Sequence, residues 1–386
     1  MSKRPSFDLA VVGAGIVGLA HALAAARAGA NVVVLDRDAQ ANGASIRNFG
    51  YVTVTGQSGA GIWQHARRSR TVWDEIAPPA GIAILHRATA AVARTPEALA
   101  VLEEFARGEM AAGCEILNAA QLRQRVPMAN ASLIGGLWSP HERRVDAREA
   151  IPQLARHLEN AYGVTIVRNA QVRAVEPPAL DTTAGAFHAA HVVVCPGNDT
   201  LTLFPETLAA HRIRNCKLQM LRLAPQPAGW RLPCAIMGDL SLVRYGGFAS
   251  CAAASALRDR LEREAADRLA AGVHLLLVQN ADGSLVAGDS HDYAATPDPF
   301  APAAVERMIV EEALRLVDVP DTRVIERWNG VYPSAQMPVI IESPLPQVRV
   351  VVIASGTGMS TAFSVAEDVI GDLLAPAEGD RCRDGA

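Results

Sequence analysis

The stretch FDLAVVGAGIVGLAHALAAARAGANVVVLDR, residues 7–37, decides the fold. Phe7 to Val12 is an apolar run of strand length, and Gly13, Gly15 and Gly18 follow at once. Ile16 to Ala28, rich in alanine and leucine, reads as a helix, and Asn31 to Leu35 returns to β-branched residues before Asp36. Strand, glycine turn, helix and strand make a βαβ unit. In the G-x-G-x-x-G pattern the first glycine permits a tight turn. The second lets backbone approach a pyrophosphate, and the third lets helix and strand pack closely. Asp36 lies 21 residues beyond Gly15, at a strand end, where a carboxylate accepts hydrogen bonds from ribose hydroxyls. A dinucleotide is therefore expected on Gly13, Gly15, Ile16, Gly18, Asp36 and Arg37. The competing reading, a glycine-rich turn in an ordinary βαβ unit, explains the glycines but not the acid at this distance.

Further strands are expected to extend this sheet: Val164 to Val175, and HVVVCPG at residues 191–197, which reads as a buried parallel strand ending in a turn. Val348 to Ala354 is another apolar strand, followed by Ser355-Gly356-Thr357-Gly358-Met359 and a helix from Ser360 to Leu374. Between Leu218 and Trp328 the pattern shifts to short alternating segments, such as Leu275 to Gln279 and Leu285 to Ala287, that imply an antiparallel sheet. Helices are expected over Thr95 to Gly113, Arg148 to Asn160 and Ala301 to Val317, the last burying Val305, Met308, Ile309, Leu314 and Val317.

At 386 residues the chain suits two packed lobes. The nucleotide lobe is expected to comprise 1–85, 140–215 and 325–375, and the substrate lobe 86–139 and 216–324, with 376–386 a disordered tail. Hydrophobic residues at 50% and charged residues at 20% give a globular balance, and a net charge of −4 offers no attraction to nucleic acid or anionic membrane. The apolar stretch from Leu9 to Ala30 is interrupted by His21 and Arg27, which argues against a membrane anchor. Six cysteines without a C-x-x-C pair suggest neither a metal site nor a disulfide framework, so a reducing cytoplasm is expected. The partner is expected to be a small molecule. Lys3 and Lys217 are the only lysines, which makes Lys217 conspicuous.

Together the Gly13 to Asp36 fingerprint, HVVVCPG, WNGVYPSAQMPVI at 328–340 and SGTGMSTA at 355–362 resemble the FAD-dependent D-amino-acid oxidase, glycine oxidase and sarcosine oxidase superfamily over essentially the whole chain. The resemblance implies a mixed α/β fold, a Rossmann-like FAD lobe interleaved with an antiparallel substrate lobe. It implies noncovalent FAD and oxidation of a C–N bond, with a hydride equivalent passing to the flavin, hydrolysis of the imine, and reoxidation by dioxygen or another acceptor. It places Ser45, Arg47, Asn48 and Gly50 of SIRNFG near the flavin or its phosphates, and Gly356, Thr357, Gly358, Met359 and Ser360 near the ring, with Val172 and Gly197 completing the cofactor set. Arg47 and Asn48 have a solvated loop as their alternative, and Met359 has core packing.

Amino-acid oxidases of this superfamily usually carry arginine immediately before the motif proline, where it grips the substrate carboxylate with two hydrogen bonds. Here Tyr332 precedes Pro333, and the later acid is replaced around Gln336. Two other stretches, RIRNCKLQMLR at 212–222 and GDSHDY at 288–293, together with SIRNFGY, resemble the subgroup associated with aminophosphonate breakdown. That resemblance implies oxidation of 2-aminoethylphosphonate or its N-methyl derivative to phosphonoacetaldehyde. Arg47, Asn48, Arg214, Lys217, His291, Tyr293 and Tyr332 are the expected substrate contacts, with Lys217, His291 and Tyr332 nearest the chemistry. Lys217 is also open to dioxygen activation or a surface ion pair, and His291 to a structural role. The alternatives are an oxidase of glycine, sarcosine or a D-amino acid, a nicotinamide-dependent dehydrogenase, and a noncatalytic flavin-binding module.

Overall fold

The structure, a computed structural model, describes residues 6–375, so Lys3, Cys382 and the tail expected at 376–386 lie outside the described residues. Ser6–Val12 and Val32–Leu35 pair in parallel, joined by the helix Ile16–Arg27. Gly185–Val194 adds in parallel on the far side of the first strand, followed by Val348–Ser355, while Thr165–Val167 extends the opposite edge. Val32–Leu35, Val348–Ser355 and the end of Gly185–Val194 are buried on both faces, which is why they read as unbroken apolar runs, whereas the edge strand Thr165–Val167 is not. The helices Ile16–Arg27, Gly59–Ile76, Ala147–Tyr162 and Gly358–Leu373 build the core on one face.

Val172–Glu176 departs from expectation. It pairs antiparallel with Ala179–Thr182, in a meander that packs on the other face of the sheet. Arg173, Ala174 and Glu176 are exposed, a pattern that a doubly buried parallel strand cannot carry.

The 22-residue strand Val324–Leu345 links the two halves of the sheet. Its first part pairs antiparallel with Arg214–Leu223 and its last part with Val348–Ser355. Leu285–Gly288 and Leu276–Gln279 then continue the antiparallel order foreseen for this region. Ala303–Leu316 buries Ile309 but leaves Leu314 partly exposed, and Pro96–Phe105 stops well short of Gly113 because the chain tightens into a 3-10 turn at Glu109–Ala111.

Two helices have no counterpart in the sequence reading, and the first of them bears on the site. In Gly59–Ile76 the fully buried Trp73 donates its indole N–H to the Met359 carbonyl at 2.9 Å, and its ring meets Phe363 edge-on at 5.2 Å. This fixes the first turn of Gly358–Leu373. Ala254–Glu264 caps the antiparallel half. Among the described residues no helix is long and apolar enough to cross a membrane, and no group of three or more His, Cys, Asp or Glu is placed to hold a metal ion.

Candidate active site

A cavity of about 580 Å³ extends from the glycine turn to the antiparallel sheet. At the glycine end Gly13 has φ +103°, and a Cβ there would approach the Cys195 carbonyl oxygen to 2.5 Å. A Cβ at Gly18 would overlap the Gly13 carbonyl, so Gly18 supports the turn from beneath and does not line the cavity. Gly15 and Ile16 face the Ser45 hydroxyl, which accepts the Ile16 N–H at 2.9 Å. Asp36 accepts the N–H groups of Ala14 at 2.5 Å and Asp38 at 2.8 Å, binding the strand end to the turn. Val172, Gly197 and Arg37 line the same end, with Arg37 paired to Asp199 at 2.8 Å.

The loop after Ser45 is internally tied. Asn48 donates to the carbonyls of Ala44 and Ser45 at 2.8 and 3.0 Å and accepts the Gly50 N–H at 2.6 Å, while Arg47 donates to Asn42 at 2.8 Å. Arg47 and Asn48 line the cavity; Gly50 packs against the Val145 carbonyl instead. The return segment Gly356 to Ser360 lines the cavity at the start of the last helix, where unpaired N–H groups favour negative charge. Gly356, at φ +73°, lies where a Cβ would meet the Tyr332 ring at 3.0 Å, so the two C-terminal motifs are packed on each other.

The opposite end is organised by a residue the sequence reading overlooked. Arg244 follows the 3-10 turn Asp239–Val243 and donates to the Tyr293 hydroxyl at 2.8 Å and the Tyr332 hydroxyl at 3.1 Å. Tyr332 occupies the position before the motif proline, and an arginine from a different element reaches it there. The signal available was the lone cation in DLSLVRYGGF, residues 239–248, amid apolar and glycine residues. His291 stands 5.2 Å from the His274 ring and 6.2 Å from that of Tyr293. Each histidine directs Nδ1 at a backbone carbonyl, Gly272 and Leu240 respectively, both at 3.1 Å. Since a carbonyl only accepts, Nδ1 carries the hydrogen in both rings. Burial, with the Arg244 charge behind it, pushes His274 down to about 3 and His291 well below the usual histidine range, so both rings are neutral near pH 7. Burial raises the Asp289 carboxyl to about 7 against the opposing pull of Arg244. The Tyr332 phenol is pushed up by burial and stays protonated.

Lys217 and Arg214 lie outside this cluster. Neighbouring residues on a strand point to opposite faces, and it is Leu218 that borders the cavity. The Lys217 ammonium donates to the carbonyls of Asp298 at 2.7 Å and Phe300 at 3.0 Å and pairs with Asp292 at 3.2 Å, which commits all three of its hydrogens. Of its three sequence readings, the surface ion pair comes nearest to this geometry, except that Lys217 is buried rather than at the surface. Arg214 lies over the Tyr293 ring at 5.6 Å without lining the cavity. Lys217→Met is expected to lower stability by about 1–3 kcal/mol, the cost of stranding buried charge-assisted hydrogen bonds, with KM little changed. A urea midpoint and steady-state kinetics check this; a KM raised more than about tenfold at unchanged stability contradicts it.

Residues 8–371 match the family described as FAD dependent oxidoreductase, DAO. The chain belongs to this family. No curated protein matches it by sequence. The fold of this DAO-family oxidoreductase is similar to that of three solved structures. Glycine oxidase from Bacillus cereus ATCC 14579 has 16% identity and TM-score 0.74, with 95% of this chain and 94% of that one covered. L-proline dehydrogenase from P. horikoshii has 16% identity and TM-score 0.76, with 96% and 94% covered. L-alpha-glycerophosphate oxidase from Mycoplasma pneumoniae, with FAD bound, has 13% identity and TM-score 0.70, with 96% and 95% covered. The residues present fit FAD, the cofactor of this DAO-family chain. Gly13 and Gly15 form a cradle a side chain would fill, Asp36 stands at the strand end, and two helix starts face the same cavity.

Proposed function

We propose that this enzyme oxidises the C–N bond of a small amine whose other end is an anion, best matched by 2-aminoethylphosphonate or its N-methyl derivative. The carrying observation is Arg244 bound to two phenols at the cavity wall. The oxygens of Tyr293 and Tyr332 accept from the guanidinium, and both hydroxyls also lie within hydrogen-bonding reach of the Cys216 sulfur, a weak acceptor from which an anionic ligand would draw their hydrogens. The guanidinium and two phenols thus set three donor groups against a head group with three oxygens. Arg244 is always charged and its planar fork suits paired oxygens. FAD supplies the two-electron acceptor when bound. The protein positions the amine-bearing carbon and excludes water, and hydrolysis of the resulting imine gives phosphonoacetaldehyde with ammonia, or with methylamine from the N-methyl substrate. Dioxygen or another acceptor completes turnover. In this reading the parallel half, 1–85, 140–215 and 325–375, holds the cofactor, and 86–139 with 216–324 shape the substrate end. The free cysteines fit a cytoplasmic setting.

A carboxylate is the second head group Arg244 suits, since it supplies the guanidinium missing from the motif. Trapping the aldehyde product as its hydrazone separates the two. Phosphonoacetaldehyde from 2-aminoethylphosphonate supports the proposal, and glyoxylate from glycine, with no product from the phosphonate, overturns it.

A further inference from the structure

We propose that Asp289 takes the proton that the substrate's ammonium nitrogen must lose before its carbon is oxidised. The inference rests on the anion-bearing amine proposed above. A substrate with an anion at one end and an ammonium at the other needs a receptor of the reverse polarity, and this end of the cavity provides one. Arg244 is its fixed cation, and Asp289 is its acid; the other lining carboxylates, Asp36, Asp38 and Asp199, belong to the glycine-turn end. Asp289 is 7% exposed, and its carboxylate accepts no hydrogen bond from another described residue. His291 Nε2, the bare nitrogen of that neutral ring, stands 3.8 Å away and donates nothing to it. A buried carboxylate whose only recorded donor is its own backbone N–H is costly in the resting protein and is satisfied by a bound ammonium.

The groups facing Asp289 leave it as the proton acceptor. Arg244 and Tyr245 approach from the segment after Asp239–Val243, His274 from before Leu276–Gln279, His291 from its own segment, and Cys216 from Arg214–Leu223. Arg244 has no lone pair to offer, both histidines are weak bases here, and burial keeps the thiol and the Tyr245 phenol protonated. Asp289 is ionised above about pH 7, and its raised affinity for a proton makes it about a thousandfold better acceptor than an ordinary aspartate. In the step, an N–H bond breaks with its electron pair left on nitrogen, and an O–H bond forms on Asp289. The neutral amine so produced has the lone pair that oxidation of the adjacent carbon draws upon.

The test compares wild-type holoenzyme with Asp289→Asn. Ligand affinity is measured by calorimetry on dithionite-reduced enzyme, which cannot turn over, with 2-aminoethylphosphonate and its amine-free analogue propylphosphonate. The variant is expected to hold propylphosphonate within about twofold of wild type while losing the extra affinity that the amine confers. Its anaerobic flavin reduction at about pH 7.5 is expected to fall roughly a hundredfold or more, the scale of a lost general base. In wild type this rate declines as pH falls through about 7. In the variant that break is absent, and the rate follows the substrate's own ammonium, near pH 10 as in lysine.

Unchanged kinetics in the variant overturn the proposal. So does parallel loss of propylphosphonate, which would make Asp289 part of the anion pocket. Should the variant not fold, a wild-type profile without a break near pH 7 overturns it equally. Sarcosine and methoxyacetate are run in parallel. If wild type binds that pair and not the phosphonates, the head-group reading falls and Asp289 is judged on the carboxylates; if it binds neither pair, both fall.

Discussion

Arg244→Met is expected to raise KM for the amine substrate roughly a hundred- to a thousandfold while leaving the visible flavin spectrum unchanged. The guanidinium is a fixed positive charge at the antiparallel-sheet end of the cavity, the end proposed above to take the substrate, and it donates to the hydroxyls of Tyr293 and Tyr332. Removing one partner of a desolvated charge pair costs about 3–4 kcal/mol, and every 1.4 kcal/mol is about tenfold in affinity. Methionine matches the arginine stem without its charge, so packing against the 3-10 turn Asp239–Val243 is largely kept. Lysine at this position is expected to restore only part of the loss, because a single ammonium cannot reach both phenols and the ligand as a planar fork does. Steady-state kinetics with an absorbance spectrum decide the matter. A KM within about threefold of wild type would remove Arg244 from substrate binding.

The second large effect concerns the cofactor. Gly18→Ala is expected to yield a folded but colourless protein. An added Cβ would overlap the Gly13 carbonyl oxygen, a backbone atom that cannot rotate aside, so the turn itself must move. Overpacking of this kind costs about 1–3 kcal/mol in stability. The displaced turn also loses its approach to a pyrophosphate, which is expected to reduce flavin affinity far more. Gly371→Ala is the control: it sits in the same kind of helical surroundings in Gly358–Leu373 with nothing within 4 Å of the added carbon. It is expected to leave the flavin bound and to stabilise slightly, as alanine does over glycine in a helix. The ratio of flavin to protein absorbance, with circular dichroism for folding, distinguishes the two. Equal flavin content in both variants would contradict the role given to Gly18.

The parallel half of the fold was legible because its signals are local. Apolar runs, the glycine spacing and Asp36 lie within a single stretch of sequence, and the same physics that makes a strand doubly buried makes it read as apolar. Val172–Glu176 joins the parallel sheet only through an antiparallel meander, since the exposed Arg173, Ala174 and Glu176 beside its two buried valines suit a strand covered on one face. The substrate end was harder to read. Tyr332 was legible as a departure from the motif, but its compensation by Arg244 is a contact across 88 residues, and nothing in the local pattern specifies it. Lys217 drew notice for its rarity. Both faces of Arg214–Leu223 are buried over most of its length, so alternation alone could not say which face borders the cavity, and the lysine proves to hold backbone carbonyls on the other side. Asp289, His274 and Arg244 form one electrostatic unit only after Leu276–Gln279 and Leu285–Gly288 pair.

The central claim, an FAD enzyme reading an anionic amine through Arg244, is tested most directly by anaerobic bleaching of the purified protein's flavin absorbance. N-methyl-2-aminoethylphosphonate, 2-aminoethylphosphonate, sarcosine, glycine and D-alanine are added separately to wild type and Arg244→Met. The expected result is rapid bleaching of wild type by the phosphonates and slow bleaching of the variant at the same concentration. Bleaching of wild type by the carboxylates alone would contradict the phosphonate assignment, and equal bleaching of both proteins would contradict the role of Arg244.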